Sequence, residues 1–123
     1  MIIYNLTNHQ LVEEQIDALR ELYPDANINL DPRGRAFTSY TQRLDWVTLQ
    51  VGRYETAGGR VAFIIGGDTL AFVMLALALH DAANRYPTKS PAVMLASQVD
   101  RDYDNNFKFA FRGWLTWIVK GDR

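Results

Sequence analysis

The run from Val61 to Phe72, Val-Ala-Phe-Ile-Ile-Gly-Gly-Asp-Thr-Leu-Ala-Phe, constrains the fold of this chain more than any other stretch. Five apolar residues with the length of a fully buried strand stop at Gly66 and Gly67. Asp68 and Thr69 then offer caps for an apolar helix that begins at Leu70. A strand that feeds a helix through a glycine turn leaves unpaired backbone N–H groups at the helix N-terminus. Free donors and the helix dipole together make such a terminus favourable for phosphate. The run is not a Walker loop, because no Gly-Lys-Ser/Thr follows, and it lacks the spacing of the dinucleotide fingerprint. A plain tight turn in an α/β sheet is the other reading of the same residues.

Strands and helices alternate on both sides of this run. Ile2 to Leu6 reads as a first strand, and Thr7-Asn8-His9-Gln10 as a turn in which Thr7 or Asn8 caps the next helix. In the segment from Leu11 to Tyr23, Val12, Ile16, Leu19 and Tyr23 recur at helical steps, with Glu13, Glu14, Asp17, Arg20 and Glu21 on the other face; Pro24 ends it. Ala26 to Leu30 is a weak strand, and Asp31-Pro-Arg-Gly-Arg35 a loop. Tyr40, Leu44, Val47, Val51 and Tyr54 mark a second amphipathic helix, closed by Ala57-Gly-Gly59. The apolar helix runs from Leu70 to Arg85, followed by a buried-type strand, Ala92 to Ala96. In the tail, Phe107, Phe109 and Phe111 alternate with Lys108 and Arg112, as in a strand with one wet face; Arg112-Gly113 is expected to turn it into a last strand, Trp114 to Val119. This order predicts one three-layer α/β domain over residues 1–123, with a mainly parallel sheet and an antiparallel C-terminal edge.

Composition narrows the function classes. A net charge of −1 gives no basic face for general DNA or RNA binding. Cys is absent, which excludes disulfides, thiolate metal sites and cysteine nucleophiles and is compatible with a cytoplasmic location. No basic start precedes an apolar signal core at the N-terminus, so export is not expected. Leu70 to Leu79 are uninterrupted apolar residues, but the glycine turn before them leaves too short a run to span about 30 Å of hydrocarbon. A buried central helix is expected instead, with no membrane partner.

In open parallel sheets, ligands collect at the carboxyl ends of the strands. Three segments converge there: Thr7-Asn8-His9, Gly66-Gly67-Asp68-Thr69, and Ser97-Gln98-Val99-Asp100-Arg101. They offer neutral hydrogen-bonders, one His, carboxylates, one Arg and a helix N-terminus, a set suited to phosphates, riboses and bases. His9 is either a proton shuttle beside a phosphate or an exposed helical-turn residue. His80 and Asp81 form a His-Asp pair like that of the HD metal hydrolases, but two histidines cannot furnish the ligand set of those enzymes, so His80 is read as a structural or surface residue. Asp100, Asp102 and Asp104 alternate as in a calcium loop, but Asn105 and Phe111 stand where that loop requires Gly and Glu. No metal and no cofactor is expected.

The opening strand followed by Thr7-Asn8-His9-Gln10-Leu11 and Glu14-Gln15 resembles the Ser-His-x-Leu-Thr-x-x-Gln start of small CRISPR-associated proteins of the Csx type. Gly67-Asp68 before an apolar helix, Ala92 to Arg101, and the aromatic Phe107-Lys-Phe-Ala-Phe-Arg112 match the later order of one such family. The family's Ser before His is Asn8 here, and residues 31–59 match poorly. These proteins are relatives of CARF domains, which bind or cleave cyclic oligoadenylate messengers. The resemblance therefore implies a CARF-like, Rossmann-type homodimer, a ring nuclease that switches off a type III CRISPR response.

Ring opening without a metal requires each ribose 2′-OH to lie in line with its phosphate, with a cation or N–H groups stabilising the phosphorane. On this reading His9, Arg101 and Lys108 are catalytic, with Arg33 or Arg35 as substitute cations. Thr7, Asn8, Gly66, Gly67, Asp68, Thr69, Ser97 and Gln98 bind the ligand, and bulk at Gly67 blocks it. A two-fold ligand suits a two-fold homodimer. Phe107, Phe109, Phe111, Trp114 and Trp117 form either that interface or ordinary core. Two other functions remain open: a sensor or sponge that binds the messenger without cutting it, and a deoxyribosyltransferase-like glycosidase with Asp68 as nucleophile.

Overall fold

The computed structural model describes residues 1–102 and 108–122, with backbone alone at residues 101, 102, 108 and 109. In chain order the elements are β1 (Ile2–Asn5), α1 (Glu13–Leu22), β2 (Asn27–Asn29), α2 (Tyr40–Thr56), β3 (Val61–Ile65), α3 (Thr69–Arg85), β4 (Ala92–Asp102) and β5 (Lys108–Val119). The strands form one mixed sheet in the order β2-β1-β3-β4-β5, parallel throughout except for the antiparallel β4–β5 edge.

Strand alternation divides the core between the two faces of this sheet. On one face Ile3, Ala62, Ile64, Val93 and Leu95 pack with Leu19 of α1. On the other, Leu6, Phe63 and Met94 pack with Trp46, Val47, Val51 and Tyr54 of α2 and with Ala71, Leu75 and Leu79 of α3. Full burial of a large apolar side chain contributes roughly 1.5–3 kcal/mol, so these two layers are the main source of stability.

Three expectations are corrected. Neither Thr7 nor Asn8 caps α1, which begins after Val12; there the Val12 N–H donates to Gln15 Oε1 at 2.9 Å. The tail is not two strands. β5 is continuous, β4 extends six residues past Ala96 to pair with it, and the register slips by one residue so that Gln98 faces Gly113 and Val99 faces Phe111. Arg112-Gly113 is therefore a bulge, and Gly113 takes a φ of 126° that favours glycine. Phe107 and Asp104 lie outside the described residues. Finally, α3 is buried on one side only: Leu70, Val73 and Leu77 are more than half or about half exposed, at 52%, 50% and 66%. Among the described residues no helix is long and apolar enough to cross a membrane.

Candidate functional site

The chain leaves β1 through Asn5, whose side chain is fully buried. A buried amide must find partners, and this one organises the whole β1–α1 loop. Its Nδ2 donates to the His9 carbonyl at 2.7 Å, and its Oδ1 accepts from the Thr7 N–H at 3.0 Å and the Thr7 hydroxyl at 2.6 Å. The Thr7 Oγ1 in turn accepts from the His9 N–H at 3.3 Å. The peptide groups of Thr7 and His9 are thus fixed from inside, while the His9 side chain is exposed at the surface.

A second loop is built at the β3–α3 junction. Gly67 has a φ of 109°, and Asp68 caps α3 by accepting from the Ala71 N–H at 2.8 Å. The same carboxylate receives a two-pronged contact from Arg43 of α2, Nε to Oδ1 at 3.0 Å and Nη2 to Oδ2 at 2.8 Å. The Arg43 hydrogen bond is the largest cause holding the Asp68 carboxyl below its ordinary range, with the Ala71 N–H next. The same contact raises the Arg43 guanidinium. The Phe72 N–H goes to the Asp68 carbonyl at 3.3 Å, and among the described residues none accepts from the N–H groups of Thr69 and Leu70. The start of α3 therefore retains two free donors beside a carboxylate that Arg43 neutralises.

Between these loops and β4 lies a cavity of about 860 Å³. Thr7, Asn8, His9, Gly66, Gly67, Thr69 and Ser97 line it, as the topology rule predicts for the carboxyl ends of β1, β3 and β4. Much of the rest of its wall is apolar: Ile65, Phe72, Val73, Leu77, Met94 and Trp117 are among the lining residues, and Val73, Leu77 and Trp117 are half exposed or more. Gln15 and Trp114 complete the lining from the α1 side. Gln15 Nε2 donates to Ser97 Oγ at 3.0 Å, and Trp114 Nε1 donates to the Gln15 carbonyl at 3.1 Å.

Two expected ligands stand apart. Asp68 is not on the cavity wall, because Arg43 and the Ala71 N–H draw its carboxylate toward α2. Gln98 is not there either, although its β4 neighbours Ser97 and Val99 are. The side chains of Arg101 and Lys108 lie outside the described residues; their backbones sit in β4 and β5. A Cβ added at Gly67 meets no atom within 4 Å, so a substitution there acts through its positive φ rather than through bulk. A glycosidase nucleophile at Asp68 is poorly served by this geometry, as the carboxylate is committed to the cap and the ion pair.

Sequence reasoning missed Asn5, Arg43 and the cavity role of Gln15. Asn5 carried a signal, a polar residue at the end of an apolar strand; Arg43 carried none. His80 faces the C-terminal tail, with Nδ1 2.7 Å from the Lys120 carbonyl and Nε2 3.1 Å from Asp122 Oδ1. Among the described residues no three His, Asp or Glu side chains gather in a way that could hold a metal. Compared with protein-family models, curated proteins and solved structures, the chain has no match.

Proposed function

We propose that this chain is a CARF-like, Rossmann-type domain that binds a cyclic oligoadenylate in the large cavity, as a cytoplasmic homodimer, and opens its ring with His9. One observation carries the reading: Thr7, Asn8, His9, the Gly66–Gly67 turn and Ser97, far apart in sequence, line a single cavity of nucleotide-accommodating size. Its two kinds of wall suit the two halves of a nucleotide. Adenine stacks on apolar and aromatic surface such as Phe72 and Trp117, while ribose and phosphate meet the polar rim and the free N–H groups of Thr69 and Leu70. His9 at that rim is the side chain whose type is suited to moving a proton between the 2′-OH and the leaving oxygen.

A specific observation favours the sensor reading as the second. Among the described residues lining the cavity there is no Lys or Arg, the side chains of Arg101 and Lys108 lying outside those residues. A phosphorane needs its charge balanced, and binding alone needs less. The deciding experiment incubates the protein with cyclic tri-, tetra- and hexa-adenylate, with and without chelator, and follows both binding and products. Linear products that persist in chelator are expected. Tight binding without products assigns the sensor function, and neither binding nor products rejects the messenger altogether.

A further inference from the structure

We propose that Arg33 and Arg53 form a binding site for a phosphate-type oxyanion on the α2-covered side of β1, separate from the large cavity. Both guanidinium groups rest on the same aromatic ring: Arg53 lies 5.0 Å and Arg33 5.6 Å from the centroid of Tyr4. Phe63 stacks on that ring at 5.9 Å, so the ring itself is held by the sheet. Arg53 is anchored from below, its Nη1 donating at 2.6 Å to Oε1 of Gln50, a residue only 1% exposed. Arg33 is anchored by its backbone, its N–H donating to the Asn5 carbonyl at 2.9 Å and its carbonyl accepting from Trp46 Nε1 at 3.3 Å.

What this arrangement lacks is an anion. Among the described ion pairs none includes Arg33 or Arg53, and Asp31, two residues before Arg33, pairs with neither. The Arg33 Nε is buried without a hydrogen-bond partner. Burial first, and the like charge of Arg33 second, lower the Arg53 guanidinium from its ordinary range. Two desolvated cations on one ring repel, and a buried N–H without an acceptor is costly. A tetrahedral oxyanion offsets the repulsion, because each planar guanidinium can offer it a pair of parallel N–H donors. Neither arginine lines the large cavity, so this site does not depend on the messenger reading.

Thermal unfolding at constant ionic strength tests the site, with inorganic phosphate in one arm, adenosine monophosphate in a second and chloride as reference. At phosphate about tenfold above its Kd, linkage gives the wild type a rise in Tm of about 5–6 °C. Arg53→Gln and Arg33→Gln should each lose that rise. A gain with both anions assigns recognition to the phosphate group, and a gain with the monophosphate alone assigns it to a nucleotide. No gain with either anion, or an equal gain in the folded variants, overturns the proposal. Should Arg53→Gln fail to fold, Arg33→Gln decides the matter.

Discussion

At the scale of single residues, the β1–α1 loop separates scaffold from chemistry. Asn5 and the backbone of His9 carry the local hydrogen bonds, and none of the described bonds uses the His9 ring. His9→Ala should therefore leave the fold and the binding of a cyclic oligoadenylate nearly intact. A positioned acid or base contributes about 10²–10⁴-fold, so ring opening should slow by that much in single-turnover assays. Unchanged cleavage would transfer the work to 2′-OH positioning by Asn8 and the Gly66–Thr69 turn. Asp68 makes the opposite case, a carboxylate committed to structure. Its folded form titrates below the ordinary value of 3.8, chiefly because of Arg43. The stabilisation is complete above that value and is lost as the pH falls through the lower folded value. In urea titrations below about pH 4 the wild type should lose stability more steeply than Asp68→Asn, which has no such proton to gain. Equal slopes would mean that the Arg43 contact is energetically idle in solution.

At the scale of elements, the helices and inner strands were legible because their apolar periodicity is also their burial. Val47, Val51 and Tyr54 of α2 are buried where the spacing placed them, whereas Tyr40 and Leu44 of the same series are exposed, and Val61–Ile65 forms the predicted strand. The β4–β5 hairpin was not legible beyond Ala96. Ser97-Gln-Val-Asp-Arg-Asp102 has no apolar face to announce a strand, and its backbone is organised by pairing with β5. A glycine after an arginine looks the same in sequence whether it turns a chain or bulges it. The structure separates these by register, and the difference has a measurable consequence. Gly113→Val should cost about 1–3 kcal/mol in chemical denaturation, because φ is 126° there and a Cβ would meet no neighbouring atom within 4 Å. A neutral substitution would show that the bulge can relax. The cavity was half legible for a related reason: loop residues at strand ends follow from topology, whereas the direction of the Asp68 carboxylate depends on Arg43, 25 residues earlier.

At the scale of the molecule, an apolar surface runs from Leu70, Val73 and Leu77 on α3 to Leu115 and Trp117 on β5, all about half exposed or more. A surface of this kind is a place where the proposed homodimer would bury itself, over the same Val73, Leu77 and Trp117 that line the cavity. Sedimentation at micromolar concentration should give a dimer for the wild type and a monomer for Leu77→Lys/Trp117→Lys, with helix content retained. A wild-type monomer removes the dimer from the proposal. Gly34 joins distant parts of the molecule through a close backbone approach. A Cβ there would collide with Asn8 Oδ1 and come within 2.6 Å of the Thr7 carbonyl carbon, while the Gly34 N–H donates to the Thr7 carbonyl at 3.0 Å. The cavity rim and the segment that carries Arg33 are thus geared to one another like meshed teeth. A ligand in the cavity should slow deuterium uptake at the Gly34 and Arg33 amides, although it touches neither, and an anion at the arginines should slow uptake at Thr7 and His9 in return.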